Sequence, residues 1–378
     1  MSESNLWSEY RDVMLTAKKT LARPSIDTTM RARLESLLRE GDQVFDLDQT
    51  PDLYGKGVVA SLERRFADLL GKPAAVFFPT GTMAQQVVLR AWAERSGRTK
   101  VALHALSHPE VFESNAFPRV SGLETVPIAS GPHLIEAPDI AVLSPDIGAV
   151  MFELPLRDAG YLLPDWSDLV AATQLARERG IVVHFDGARL FDCTPQLGHS
   201  AAEIAALADS VYVSCYKTVD GMSGAVVAGP QDVLSSARAW RHRYGGQVYQ
   251  QFPAALSALL GIEKELPRIA SYVAAARRVA SEIAAGLQAG GLGWHLVQPA
   301  VPHIQQFQVW VPRAAEMLTS AATEEVRETG KAIFQLPWWE PGMPPGLSVT
   351  EITVGAAAAE WEPGEVAASA ESFAARLR

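Results

Sequence analysis

The chain has 378 residues, 48% of them hydrophobic and 20% charged, with a formal net charge of −10. That length carries one large domain and a smaller one with ample core, in an ordinary globular composition. The acidic balance and the lack of a basic stripe exclude a nucleic-acid surface built on clustered Lys and Arg.

In chain order, the opening MSESNLWSEYRDVM is polar, with no apolar core of a secretory signal, so a cytoplasmic protein is expected. No apolar run approaches the roughly 18–20 residues that a membrane helix needs. Residues 1–50 read as helices and an arm. From about residue 51, short apolar runs alternate with helical patterns. AAVFF (74–78) precedes MAQQVVLRAWAER, and KVALHAL (100–106) precedes PEVFESNAF. The runs LETVPI (123–128), IAVLSP (140–145) and AVMFEL (149–154) follow as expected strands. WSDLVAATQLARERG then reads as an amphipathic helix before IVVHFD (181–186), and SAAEIAALADS as another before VYVSCY. Strand–helix alternation with β-branched runs predicts an α/β domain over 51–255, its sheet mostly parallel and covered on both faces. Residues 256–378 mix helices with HIQQFQVWV and LSVTEITVG, a smaller α+β domain. Cys193 and Cys215 form neither a disulfide framework nor a zinc site by spacing, and each is expected as a buried free thiol.

Ligands of open α/β sheets bind at the carboxyl ends of the strands, and three strand ends here carry unusual residues. In FFPTGTMAQQ, Gly81 permits close backbone approach, and Thr80 and Thr82 offer hydroxyls beside a helix N-terminus. This suits a phosphate, but a plain N-cap explains it too. In IVVHFDGARLF, Asp186 ends an apolar strand, Gly187 and Ala188 leave room for a flat ring, and Arg189 projects from the same turn. Asp186 is either another N-cap or the partner of a cationic ring nitrogen, and Arg189 has the planar fork for a carboxylate. In SVYVSCYKTVDG, Lys217 lies at the mouth of the core, where desolvation makes an amine nucleophilic enough for a Schiff base, unless it snorkels to solvent. Taken together, a phosphate cradle, a ring-nitrogen carboxylate and an imine-forming lysine are what pyridoxal 5'-phosphate requires.

LERRFADLLGKPAAVFFPTGTMAQQ, VVHFDGARLF and SVYVSCYKTVDGMSGAVVAG resemble the L-threonine aldolase and β-eliminating lyase family of fold-type-I pyridoxal-phosphate enzymes. The resemblance runs from about Tyr54 to Gly246 and more loosely beyond. It implies a mostly parallel seven-stranded sheet domain with a smaller C-terminal domain. It also implies that Lys217 carries the cofactor as an imine and that Asp186 pairs with the pyridine nitrogen. Thr80, Gly81 and Thr82 would hold the phosphate, His108 would stack on the ring beside Ala188, and Arg189 would face cofactor or substrate. Tyr54 matches a segment that relatives place near an active site built between subunits, which implies a homodimer or homotetramer. The expected substrate is a small β-hydroxy-α-amino acid cleaved between Cα and Cβ, with His108 or a water taking the hydroxyl proton.

The match breaks at several points. Relatives carry a Glu-Asn-Thr-His segment where this chain has FELPLRDAGYLLP, with Glu153 but no histidine, and with Arg157 and Asp158 as substitutes or a solvated pair. An arginine used for the substrate carboxylate aligns with Glu351, and a basic residue with Tyr249. AKKTLARPS replaces a Ser-Asp-Thr opening, leaving Arg241 and Arg243 as spare cations. The alternative is therefore β-elimination or β-replacement on an unusual amino acid, one with a cationic group near Glu351. A member that only binds ligands is a weaker reading. A nucleotide-binding protein is weaker still, since neither a G-x-G-x-x-G nor a Walker loop follows the first strand.

Overall fold

A computed structural model describes residues 3–22 and 29–378. The chain divides into two compact units, Met30–Arg268 and Met1–Thr29 with Ile269–Arg378.

The larger unit is built on a seven-stranded sheet. Its strands are β1 (Ala74–Phe78), β2 (Lys100–His104), β3 (Glu124–Ala129), β4 (Ile147–Glu153), β5 (Val182–Asp186), β6 (Ser210–Ser214) and β7 (Ala225–Gly229). Their spatial order is β1-β7-β6-β5-β4-β2-β3. Every pair is parallel except those of β7, which runs antiparallel to both β1 and β6. The central strands are buried along their length, which is why they read as unbroken β-branched runs rather than alternating ones. Helices cover the sheet. In Val58–Leu70, the residues Val59, Leu62, Phe66 and Leu70 repeat at helical spacing and are all fully buried. Gly71 closes that helix in the left-handed conformation, at φ 58°.

Two expectations fail locally. Residues 140–145 form no strand: Pro138 in the first turn and a Glu136–Asp139 capping box start a short helix, Ala137–Ala141. PEVFESNAF holds only the turn His108–Val111, because Ser114 and Asn115 take left-handed φ values of 51° and 60°.

The smaller unit has a three-stranded antiparallel sheet, ordered 348–353, 306–311, 296–298, packed with the helices Ile269–Ala289, Ala315–Thr329 and Glu365–Ala375. The N-terminal segment, expected as helices and an arm, groups with this unit. Tyr10 donates to the Phe334 carbonyl at 2.5 Å, Lys19–Thr20 pairs in parallel with Lys331–Ala332, and Leu21 is fully buried. The Met30–Glu40 and Phe252–Glu265 helices belong to the larger unit, so its edges fall at residues 30 and 268 rather than at 51 and 255. Both cysteines are buried free thiols. Among the described residues no helix is long and apolar enough to cross a membrane.

Candidate active site

Parallel strands that end together bring their last residues together. At the carboxyl edge of the sheet, the segments after β1, β2, β5 and β6 enclose a cavity of about 330 Å³. Six of the expected residues line it: Thr80, Gly81, Thr82, His108, Asp186 and Lys217. Sequence reasoning missed Gln85, Glu113, Tyr212, Tyr216, Met222 and Ser223, which line it as well. None carries a local motif of its own; only the closing of the sheet puts them there.

Lys217 follows β6 in a turn closed by the Gly221 amide donating to the Cys215 carbonyl at 2.7 Å. Burial, then the nearby Arg189 cation, pull its ammonium down to about 8, while Asp186 and Glu153 oppose the fall. About a tenth of the amine is therefore neutral at pH 7, far more than for an ordinary lysine, and that fraction is the nucleophile.

Asp186 ends β5 with 2% exposure. Its Oδ1 accepts the Ala188 amide at 3.1 Å and its Oδ2 accepts the Gln85 Nε2 amide at 2.5 Å. Burial raises its pKa, and Lys217 and His108 act against that rise.

His108 opens a helical turn. Its backbone N–H donates to Glu153 Oε2 at 2.7 Å, and its ring Nδ1 lies 3.3 Å from Glu113 Oε1. Glu153 also accepts the Arg157 amide at 3.2 Å. Burial, and then the Asp186 charge, push Glu153 up to about 7. Arg157 and Asp158 lie 3.4 Å apart, with the Arg157 guanidinium 5.1 Å from the Phe112 ring.

The turn after β1 is an N-cap. Thr80 Oγ1 accepts the Met83 amide at 3.2 Å, and its carbonyl accepts Ala84, which leaves the Gly81 and Thr82 amides at the helix start for an anion. Gly81 is required sterically: a Cβ there would lie 2.2 Å from the Tyr212 hydroxyl. Gly224, at φ 95°, lines the cavity beside β1, where a Cβ would strike the Phe77 ring.

The other expected residues are placed differently. Ala188 is buried beside Asp186, and the Arg189 guanidinium lies 5.2 Å from the Tyr161 ring. Tyr54 is exposed, at φ 54°, and meets Tyr249 edge-on at 5.4 Å. Arg241 and Arg243 are not spare. Arg241 is buried, donating to the Phe77 carbonyl at 2.5 Å beside Glu63, and Arg243 lies 4.4 Å from the Trp240 ring. Glu351 is buried in the smaller unit, opposite Gln308 in its sheet. Of the AKKTLARPS segment, residues 23–25 lie outside the described residues.

The family model described as Beta-eliminating lyase matches residues 25–288. The low specificity L-threonine aldolase of Escherichia coli (strain K12) is 29% identical over 258 residues, 66% of this chain and 73% of that protein. Among solved structures, a "putative L-allo-threonine aldolase" from Listeria monocytogenes EGD-E is 32% identical. It superposes with a TM-score of 0.87, covering 98% of this chain and 100% of its own. A structure of SPT with PLP internal aldimine, 18% identical with a TM-score of 0.67 over 92% of this chain and 84% of that one, shares the fold. Lysine, aspartate and glycine turn thus stand on a scaffold common to these proteins, and the chain belongs to the beta-eliminating lyase family as a divergent, threonine aldolase-like member of the fold-type-I pyridoxal-phosphate enzymes.

Proposed function

We propose that the protein cleaves the Cα–Cβ bond of a β-hydroxy-α-amino acid, releasing glycine and an aldehyde. The observation that carries this reading is a single cavity lined by Lys217, Asp186, His108 and the Gly81–Thr82 turn. Its residues fit the cofactor. The volume is within the ~300–1,000 Å³ range of small-molecule sites, Gly81 at the cavity wall has a position that only glycine fits beside Tyr212, and Asp186 lines the same cavity.

Pyridoxal phosphate, when bound, supplies an electron sink for the charge that develops at the substrate's α-carbon. The protein's own groups do the rest. Lys217, lowered to about 8, offers a neutral amine for covalent attachment. Asp186 would hold the ring nitrogen, and the Gly81 and Thr82 amides with the Thr80 and Thr82 hydroxyls would hold the phosphate. The His108 imidazole would cover the ring face, and with Glu113 at its Nδ1 it would take the β-hydroxyl proton through Nε2. Arg189 adds positive charge beside Lys217 and is the candidate for the substrate carboxylate. Tyr54, exposed in a strained conformation, is assigned to the site of a partner copy in a dimer or tetramer.

The test is a product assay. Holoprotein incubated with threonine and phenylserine should release aldehyde and glycine in equal amounts, and borohydride should fix the cofactor on Lys217. Keto acid without glycine would replace cleavage by elimination on the same scaffold. Mixing inactive Lys217→Ala and Tyr54→Phe proteins should regain activity if the site is shared between copies; sedimentation of the active protein as a monomer would remove that assignment.

A further inference from the structure

Asp186 is the end of a buried polar chain drawn from three elements. Gln85 and Trp92 come from the Gly81–Ser96 helix, His184 from β5 and Ser210 from β6. His184 and Ser210 have 0% exposure and Gln85 2%. Trp92 Nε1 lies 2.9 Å from Ser210 Oγ, Ser210 Oγ 2.9 Å from His184 Nδ1, and His184 Nε2 2.8 Å from Gln85 Oε1. Gln85 Nε2 completes the chain at Asp186 Oδ2.

Only one set of hydrogen positions satisfies every member. An indole N–H can only donate, so Ser210 accepts from Trp92. An ionised carboxylate can only accept, so Gln85 turns its NH₂ to Asp186 and its oxygen to His184. That oxygen needs a proton on His184 Nε2, which leaves Nδ1 as the acceptor of the Ser210 hydroxyl. The ring is then neutral, and burial does hold His184 down at about 3. Every donor in the chain points toward Asp186, and linked hydrogen bonds of one sense polarise each other in a low-dielectric interior.

We propose that this one-way chain makes Gln85 a positioning residue for the reaction, locking its amide so that Asp186 is held as a fixed, ionised acceptor for the cofactor's ring nitrogen. The inference rests on the function proposed above and deepens it. Without the His184 contact, the Gln85 amide is free to turn its oxygen to Asp186, exchanging a donor for a repelling acceptor. A buried apolar cluster would have filled the same space without leaving polar groups to satisfy. The polar chain instead ends on the one carboxylate of β5 that lines the cavity.

The test uses holoprotein carrying pyridoxal phosphate labelled with ¹⁵N in the ring, with Lys217 labelling by borohydride checked first. Wild type should show a protonated ring nitrogen. In Gln85→Leu the ¹⁵N signal should move to the unprotonated range, and kcat should fall at least about tenfold while KM changes by less than about threefold. Ser210→Ala removes one hydroxyl three hydrogen bonds from Asp186 and should move the signal in the same direction, so it carries the test if Gln85→Leu does not fold. Variants that fold, take the label at Lys217 and keep the wild-type ¹⁵N signal would reduce the chain to core packing and overturn the inference. A wild type that takes no label at Lys217 overturns the function itself, a different and recognisable failure.

Discussion

Glu153 and Asp186 are register partners at the ends of β4 and β5, so a half-buried carboxylate and a buried one stand side by side on parallel strands. Like charges in that position cannot both ionise cheaply, and Glu153 takes the larger part of its rise from burial and the next from Asp186. The two oxygens of Glu153 accept the His108 and Arg157 amides, so the residue also anchors the loop that presents His108.

A pH dependence of stability follows. Glu153 keeps its proton in the folded chain up to about 7 but loses it near the ordinary carboxylate value when unfolded. Between those values the unfolded state binds fewer protons, so stability falls as pH rises. At 1.36 kcal/mol per pKa unit the loss is on the order of 3 kcal/mol, complete above about pH 7. Urea denaturation of cofactor-free protein from pH 4.5 to 8 should show this slope, and Glu153→Gln should flatten it. An unchanged slope in that variant would assign the effect to other groups.

The rate of cofactor capture should follow the neutral fraction of Lys217. It should rise about tenfold per pH unit well below 8 and level off above it. Arg189→Gln removes the neighbouring cation that helps lower Lys217 and should move the plateau to higher pH. Stopped-flow absorbance of apoprotein mixed with pyridoxal phosphate reads both. A plateau that stays in place on removing Arg189 would leave burial as the whole cause.

Gly81→Ala places a methyl group against the Tyr212 hydroxyl and ring. Cofactor affinity should fall at least about tenfold, equal to about 1.4 kcal/mol. Adding Tyr212→Phe should recover only part of this, because the ring carbon that bears the hydroxyl is itself 2.9 Å from the added methyl. Equilibrium titration of the three proteins with cofactor decides the matter.

His108 is assigned two tasks that substitution separates. His108→Phe keeps an aromatic face but cannot move a proton, so cofactor affinity should stay within about threefold while kcat falls about 10²-fold or more. His108→Ala should lose both. Glu113→Gln, which removes the charge 3.3 Å from Nδ1, should lower kcat and leave cofactor affinity near wild type. Equal losses of affinity in His108→Phe and His108→Ala would deny the stacking task.

Much of this molecule is legible one segment at a time. AAVFF, IVVHFD and VYVSCY are β1, β5 and β6 nearly to the residue, because strands buried on both faces must be continuous apolar runs. Thr80, Gly81, Asp186 and Lys217 stand out for a related reason: each is a polar or side-chain-free residue at the exact point where such a run stops. Local chemistry also explains the misreading of residues 140–145, since an apolar run of that length suits a strand or a buried helical turn equally well.

What no segment reveals is which residues meet. Gln85 and Gln86 are adjacent in a helix and look alike in the sequence, yet one reaches Asp186 and the other Ser121. Arg241 reads as a spare cation and is instead buried, donating to the Phe77 carbonyl. Strand order, set by long-range pairing, decides these partners: β5 lies between β4 and β6, which puts Glu153 beside Asp186 and Ser210 beside His184. The sequence by itself determined the strands and the residues at their ends, since burial and turn chemistry are local demands. Only the tertiary structure decided the charge state and orientation of those residues, since both depend on neighbours that are distant in the chain.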